Sequence, residues 1–193
     1  MFTEDYLMRI INQALAALLS AVGLKKRGKY REAQQAIDQA VEWLTSMPAG
    51  LVDQMDDEGI LSMLTVQERL DVPRLALLAD LFWEQGEIQV QLDQASQGRS
   101  SCERALRFTL EAALASEAGL ASESIAKIET RRQALMEAEL PIETQLALLD
   151  YFQRLMEKND GTLAAADVSR QDIDSQLAKL QDRLGPYLKP DRE

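Results

Sequence analysis

Four acids crowd into one short stretch, Asp53, Asp56, Asp57 and Glu58, with Gly59 behind them, and they are the densest set of potential ligands in the chain. Carboxylates this close can hold a hard cation. The spacing nevertheless departs from a calcium-binding helix–loop–helix, whose loop sets its acids at alternate positions and ends on a distant glutamate. The simpler role is electrostatic, because acids in the first turn of a short helix are attracted by the positive end of its dipole.

A second group is basic: Lys25, Lys26, Arg27, Lys29 and Arg31 surround Tyr30, a composition suited to phosphate or to an acidic partner. With a formal net charge of −11, the favoured reading is a solvated turn whose cations complement the C-terminus of the preceding helix, with Tyr30 turned inward. Cys102 would be activated if Arg99, Arg104 and Arg107 faced its thiol. A lone cysteine is more often buried and inert, and that is the expectation. Trp43 and Trp83 are read as packing residues rather than stacking platforms. No catalytic, cofactor-binding or metal-binding residue is assigned, no cofactor is expected, and the residues of any binding surface stay open.

The chain contains no histidine. That excludes Ser/His/Asp and Cys/His nucleophile systems and the Glu-x-x-His di-iron site. A phosphate-binding Gly-Lys-Ser/Thr loop is also missing from the sequence. Carboxylate chemistry survives as the enzyme alternative, since two acids suffice to hydrolyse a glycoside.

The elements that must position these residues are helical. Tyr6, Leu7, Ile10, Ile11, Leu15, Leu18 and Val22 recur at three and four residues, predicting a first helix over residues 3–24. After Gly28 a second helix turns Tyr30, Ala33, Ile37, Ala40, Val41 and Leu44 inward, and the short connection makes the two antiparallel neighbours. A brief helix follows over residues 57–64. Asp71 and Pro73 then open a long one with Leu75, Leu78, Ala79 and Phe82 buried, and Gly86 is expected to bend it. A fifth helix begins after Gly98, a sixth covers residues 122–138, and a seventh starts at Pro141 and closes at Asn159-Asp160-Gly161. The last is capped by Ser169 and Asp172, carries Ile173, Leu177, Leu180 and Leu184, and is stopped by Gly185-Pro186. The expectation is one all-α domain over residues 1–193, with a helix pair near residues 3–46 and a frayed tail from 186.

Nine glycines and five prolines in 193 residues fit long helices with few turns. One cysteine permits no intrachain disulfide. The acidic opening Met1-Phe2-Thr3-Glu4-Asp5 is unlike a secretory leader, and no run of membrane-spanning length is expected, so a cytoplasmic protein follows by elimination. The negative charge argues against nucleic acid and against an anionic membrane surface.

The residues Gly28, Tyr30, Ala33, Ile37 and Ala40 resemble the second helix of a tetratricopeptide repeat, in which small residues admit the partner helix and larger ones fill above and below. Leu78, Ala79, Phe82 and Gly86 resemble the first helix of such a repeat, with Gln91 where the next helix should carry alanine, and Cys102, Ala105, Thr109 and Ala112 repeat the second-helix spacing without its glycine. The chain also resembles an uncharacterised bacterial family of helical proteins with repeat-like helix pairs, through Asp5-Tyr6-Leu7-Met8, the segment 28–40, Asp57-Glu58, Ile60-Leu61, Leu140-Pro141, Glu143 and Tyr151-Phe152. It departs from that family at residues 157–161. The resemblance implies antiparallel helix pairs in an array of about seven to eight helices, and no activity.

The expected function is a non-catalytic scaffold for a protein partner or for self-association, working from a groove near the first helix pair. The alternative is a carboxylate-dependent helical enzyme or small-ligand sensor, which needs a pocket of converging polar groups. Helix content is predicted to lie well above the usual third, with essentially no sheet. A substantial strand signal in circular dichroism would refute that prediction.

Overall fold

The computed structural model describes residues 2–135 and 139–188. Among them the helices are α1 (Phe2–Lys25), α2 (Tyr30–Thr45), α3 (Ala49–Val52), α4 (Asp57–Met63), α5 (Val72–Gln91), α6 (Ala95–Ala115), α7 (Ser122–Ala134), α8 (Ile142–Met156), α9 (Asp160–Ala165) and α10 (Arg170–Leu188). Strands β1 (Thr65–Val66) and β2 (Arg69–Leu70) pair antiparallel between α4 and α5. The fold is all-α. Ten helices occur among the described residues, beyond the expected seven to eight, because α3 and α9 are too short to show a hydrophobic period.

The chain divides into two compact units, Met1–Ala112 and Ala113–Glu193. In the first, α1 packs on α2 and α5, and α2 packs on α3 and α5. Ala33, Ile37 and Ala40 are 0% exposed, as are Ala14 and Ala21 on α1. Small side chains on both helices let the two backbones come close, and Ile37 fills the space left between them. Gly28, at φ +73°, ends α1, and the Lys29 N–H bonds back to the Leu24 carbonyl at 3.0 Å.

Several expectations are corrected. On α1 the inward stripe is Ala14, Leu18 and Ala21, with Ile10, Ile11 and Val22 beside it, while Tyr6 and Leu15 are 55% and 43% exposed. The larger apolar residues misled the reading, because the tight contact selects alanine. Gly86 leaves α5 unbroken, and Gly98 lies inside α6 rather than before it. A Cβ at Gly86 would stand 2.6 Å from the Gly98 carbonyl oxygen, so both glycines mark a place where two helix backbones touch. The residues 65–70 hairpin was not foreseen. Gln67 and Glu68 turn it with φ of 51° and 63°, the type I′ geometry, without the Asn-Gly signal that usually announces it.

In the second unit, α8 packs on α10 and α7 on α9. Asn159 begins α9 instead of closing α8 in a left-handed turn: its side-chain oxygen accepts from the Thr162 N–H at 2.9 Å. Leu146 is exposed while Leu148 and Tyr151 are buried. Pro186 continues α10: its fixed φ suits a helix, and so near the end its missing N–H removes a single helical bond, the one to the Asp182 carbonyl. The predicted end of the sixth helix, residues 136–138, and the tail residues 189–193 lie outside the described residues. Ser169 and Asp172 cap α10 as expected, the Asp172 N–H bonding to Ser169 Oγ at 3.1 Å.

One expectation fails on length. Residues Asp5–Lys25 of α1 are long and apolar enough, by composition, to cross a membrane. Interspersed Asn12, Gln13 and Ser20 disguise the run in the sequence.

Replacing Ala40 with Leu should cost roughly 1 to 3 kcal/mol through overpacking against α1. Coincident urea midpoints for variant and wild type would show that the α1–α2 contact is not tight.

Candidate functional site

The four clustered acids do not converge. Asp56 caps α4, accepting from the Gly59 N–H at 2.8 Å, whereas Asp57 pairs with Arg104 at 2.8 Å and Glu58 with Arg107 at 3.0 Å. Asp53 turns elsewhere, to Gln85 Nε2 at 3.2 Å. The cluster serves as an anchor. Arg104 also donates to the carbonyls of Met55 at 2.6 Å and Val52 at 3.3 Å, so one guanidinium ties the connection between α3 and α4 to α6.

The basic turn disperses as well. Lys25 Nζ donates to both Glu84 and Glu87 on α5; burial pushes its pKa down, and the two carboxylates more than reverse this. Lys29 pairs with Glu32 at 2.9 Å, and Tyr30 is half-buried against the core. Cys102 is half-buried where full burial was expected, close to Gly86. Its three arginines are committed to acids: Arg99 to Glu103, Arg104 to Asp57, and Arg107 to Glu58 and Glu111. Trp43 is half-buried, and Trp83 Nε1 donates to Glu87 at 3.2 Å.

What the structure does bring together is a set the sequence reading passed over. A cleft of about 460 Å³ opens in the first unit between α2, α3, α5 and the start of α6. Gln34 and Asp38 come from α2, Asp53 from beyond α3, Gln85 and Gln89 from α5, and Ser101 and Arg104 from α6. Three of these groups are spaced four apart or nearly so, which puts each polar pair on one face of its helix. That was the available signal: short amide and carboxylate stripes on otherwise apolar helices.

One buried acceptor in the cleft lacks a donor. Gln34 Nε2 donates to Asp38 Oδ1 at 2.7 Å, while the buried Gln34 Oε1 has no partner. Burial holds the Asp38 carboxyl above its usual range; the Gln34 bond opposes this, and the charges of Asp53 and Glu42 add to it. Arg104 borders the cleft, but its guanidinium is bound to Asp57 and the two carbonyls. Chemically, the cleft can accept hydrogen bonds from a cation.

In the second unit the buried polar residues form a chain. The Tyr151 hydroxyl donates to Glu129 Oε1 at 3.1 Å, and Glu129 Oε2 receives Arg132 Nη2 at 2.6 Å. Burial first, and Glu129 second, hold the Tyr151 phenol protonated far above its ordinary range. No group of three or more potential metal ligands occurs among the described residues.

The fold is all-α, and its N-terminal unit carries a polar, acid-bearing groove. Over residues 1–185 the chain matches the family of unknown function DUF6483, and it belongs to that family. No curated protein and no solved structure matches it.

Since Asp38 has a raised pKa in the folded protein, its favourable contribution is complete below the unfolded value of 3.8 and is lost as pH climbs through the folded one. Asp38→Asn should therefore raise the urea midpoint at neutral pH, with the gain shrinking in acid. A variant no more stable than wild type at pH 7 would show that the carboxylate is already compensated.

Proposed function

We propose that the protein is a non-catalytic interaction module whose N-terminal cleft receives the ammonium or guanidinium group of a basic protein segment. The observation that carries this reading is the buried, unpartnered Gln34 Oε1 beside two carboxylates, Asp38 and Asp53, whose hydrogen-bond donors are neutral amides, in one groove of a chain with net charge −11. A lysine or arginine supplies the donors and the charge that the groove lacks. Complementary charge also speeds encounter with a basic partner and disfavours nucleic acid.

The finer reading of α1 and α2 as a tetratricopeptide-like pair is part of this proposal. It is supported by the buried Ala33, Ile37 and Ala40 and by the Gly28 turn. Packing of Ala14, Leu18 and Ala21 on neighbouring helices supports α1 as a core helix rather than a membrane span. The single cysteine supports a cytoplasmic setting. The small-ligand alternative uses the same cleft, because its converging amides and carboxylates would also suit a free amine.

Immobilised peptides rich in lysine and arginine, beside sequence-matched acidic ones, provide the test. The purified full chain should bind the basic set, and the Asp38→Asn/Asp53→Asn variant should bind it roughly tenfold or more weakly with an unchanged circular dichroism spectrum. Equal binding by the variant would defeat the proposal. Spermidine binding as tightly as the best peptide would transfer the site to the small-ligand reading, and metabolite turnover lost in the same variant would transfer it to the enzyme.

A further inference from the structure

A second cavity, of about 260 Å³, lies within the C-terminal unit and is independent of the cleft. Its apolar lining includes Leu135, Leu148, Phe152 and Leu180, all buried. Around this lining stand three cations, Arg132, Lys179 and Arg183, and no aspartate or glutamate lines the cavity among the described residues. In a chain with 32 acidic against 21 basic residues, such a grouping runs against the overall charge.

The cations differ in how they are held. Arg132 is fixed: Nε and Nη2 bond to Glu129 Oε2 at 3.0 and 2.6 Å, and the guanidinium lies 5.6 Å from the centroid of the Phe152 ring. Glu129 is itself held by the Tyr151 hydroxyl. Lys179 and Arg183 lie four residues apart on α10, hence on one face, and neither forms an ion pair among the described residues. Glu129 neutralises one of the three charges, so the lining retains a positive excess beside its buried apolar floor, with the amides of Gln145 and Gln176 also lining the cavity.

We infer that this cavity binds a small amphipathic anion, specifically a monocarboxylate bearing a short apolar chain. The carboxylate would accept from Lys179 and Arg183, with Arg132 at the boundary between charge and floor, while the chain displaces water from Leu135, Leu148, Phe152 and Leu180. The volume falls just below the ~300 Å³ at which drug-sized ligand pockets begin, which favours a single chain over a larger ring system.

Calorimetric titration of the full chain with octanoate tests the inference, using acetate, octylammonium and 1-octanol as head-only, charge-reversed and neutral controls. Octanoate should bind one to one and more tightly than all three controls. The Lys179→Gln/Arg183→Gln variant should lose roughly tenfold in octanoate affinity. Both substitutions lie on exposed side chains, and the single Lys179→Gln variant, expected to lose affinity in part, serves if the double variant melts early. Absence of saturable octanoate binding, equal affinity for octylammonium or 1-octanol, or unchanged octanoate affinity in the variants would overturn the inference.

Discussion

The N-terminal unit depends on the close approach of α1 and α2. Ala14 and Ala21 on α1 and Ala33 and Ala40 on α2 are fully buried where these helices pack, and larger side chains there would force the helices away from their neighbours. Everything around the cleft inherits that spacing. α5 packs on both helices at once, so its Gln85 and Gln89 reach the groove only because α2 presents Gln34 and Asp38 from a fixed distance. The energetic source is apolar burial, and the polar cleft is set in the wall of that core.

Charge is handled by commitment to particular partners rather than by distribution. Arg104 and Arg107 leave α6 to meet Asp57 and Glu58, and Lys25 meets Glu84 and Glu87, so most cations of this unit are already paired. Such partly buried pairs contribute modestly to stability, since desolvation offsets much of the attraction. Their larger effect is on specificity of arrangement. Each joins segments distant in sequence, and none of these cations pairs with Asp38 or Asp53 in the groove.

Periodicity made the major helices legible. Leu75, Leu78, Ala79 and Phe82 on α5, and Ala105, Leu106, Thr109 and Leu110 on α6, are buried, although burial reaches beyond one stripe to Leu81, Arg107 and Phe108. It was less informative where alanine, not leucine, marks the contact, as on α1, and where elements are shorter than a period, as with α3, α9 and the hairpin. The cleft was illegible for a different reason. Its residues come from four segments, three carrying an ordinary polar pair and the fourth Asp53 alone, and only tertiary packing shows that they line one groove. Conversely, the conspicuous acidic cluster proved to be four separate contacts, because adjacent residues on a helix start point in different directions.

The backbone contact at Gly86 and Gly98 bears on how this sequence can drift. A Cβ at Gly86 would lie 2.6 Å from the Gly98 carbonyl oxygen, and one at Gly98 would lie 2.6 Å from the Gly86 carbonyl oxygen. In an ordinary core, an enlarged side chain can be accommodated by trimming its neighbour, so paired changes open a path between sequences. Here the obstacle on each side is main chain, which no substitution can shorten. The two positions are therefore closed to compensated exchange: a lineage could enlarge either one only by moving α5 and α6 apart, and with them the walls of the groove.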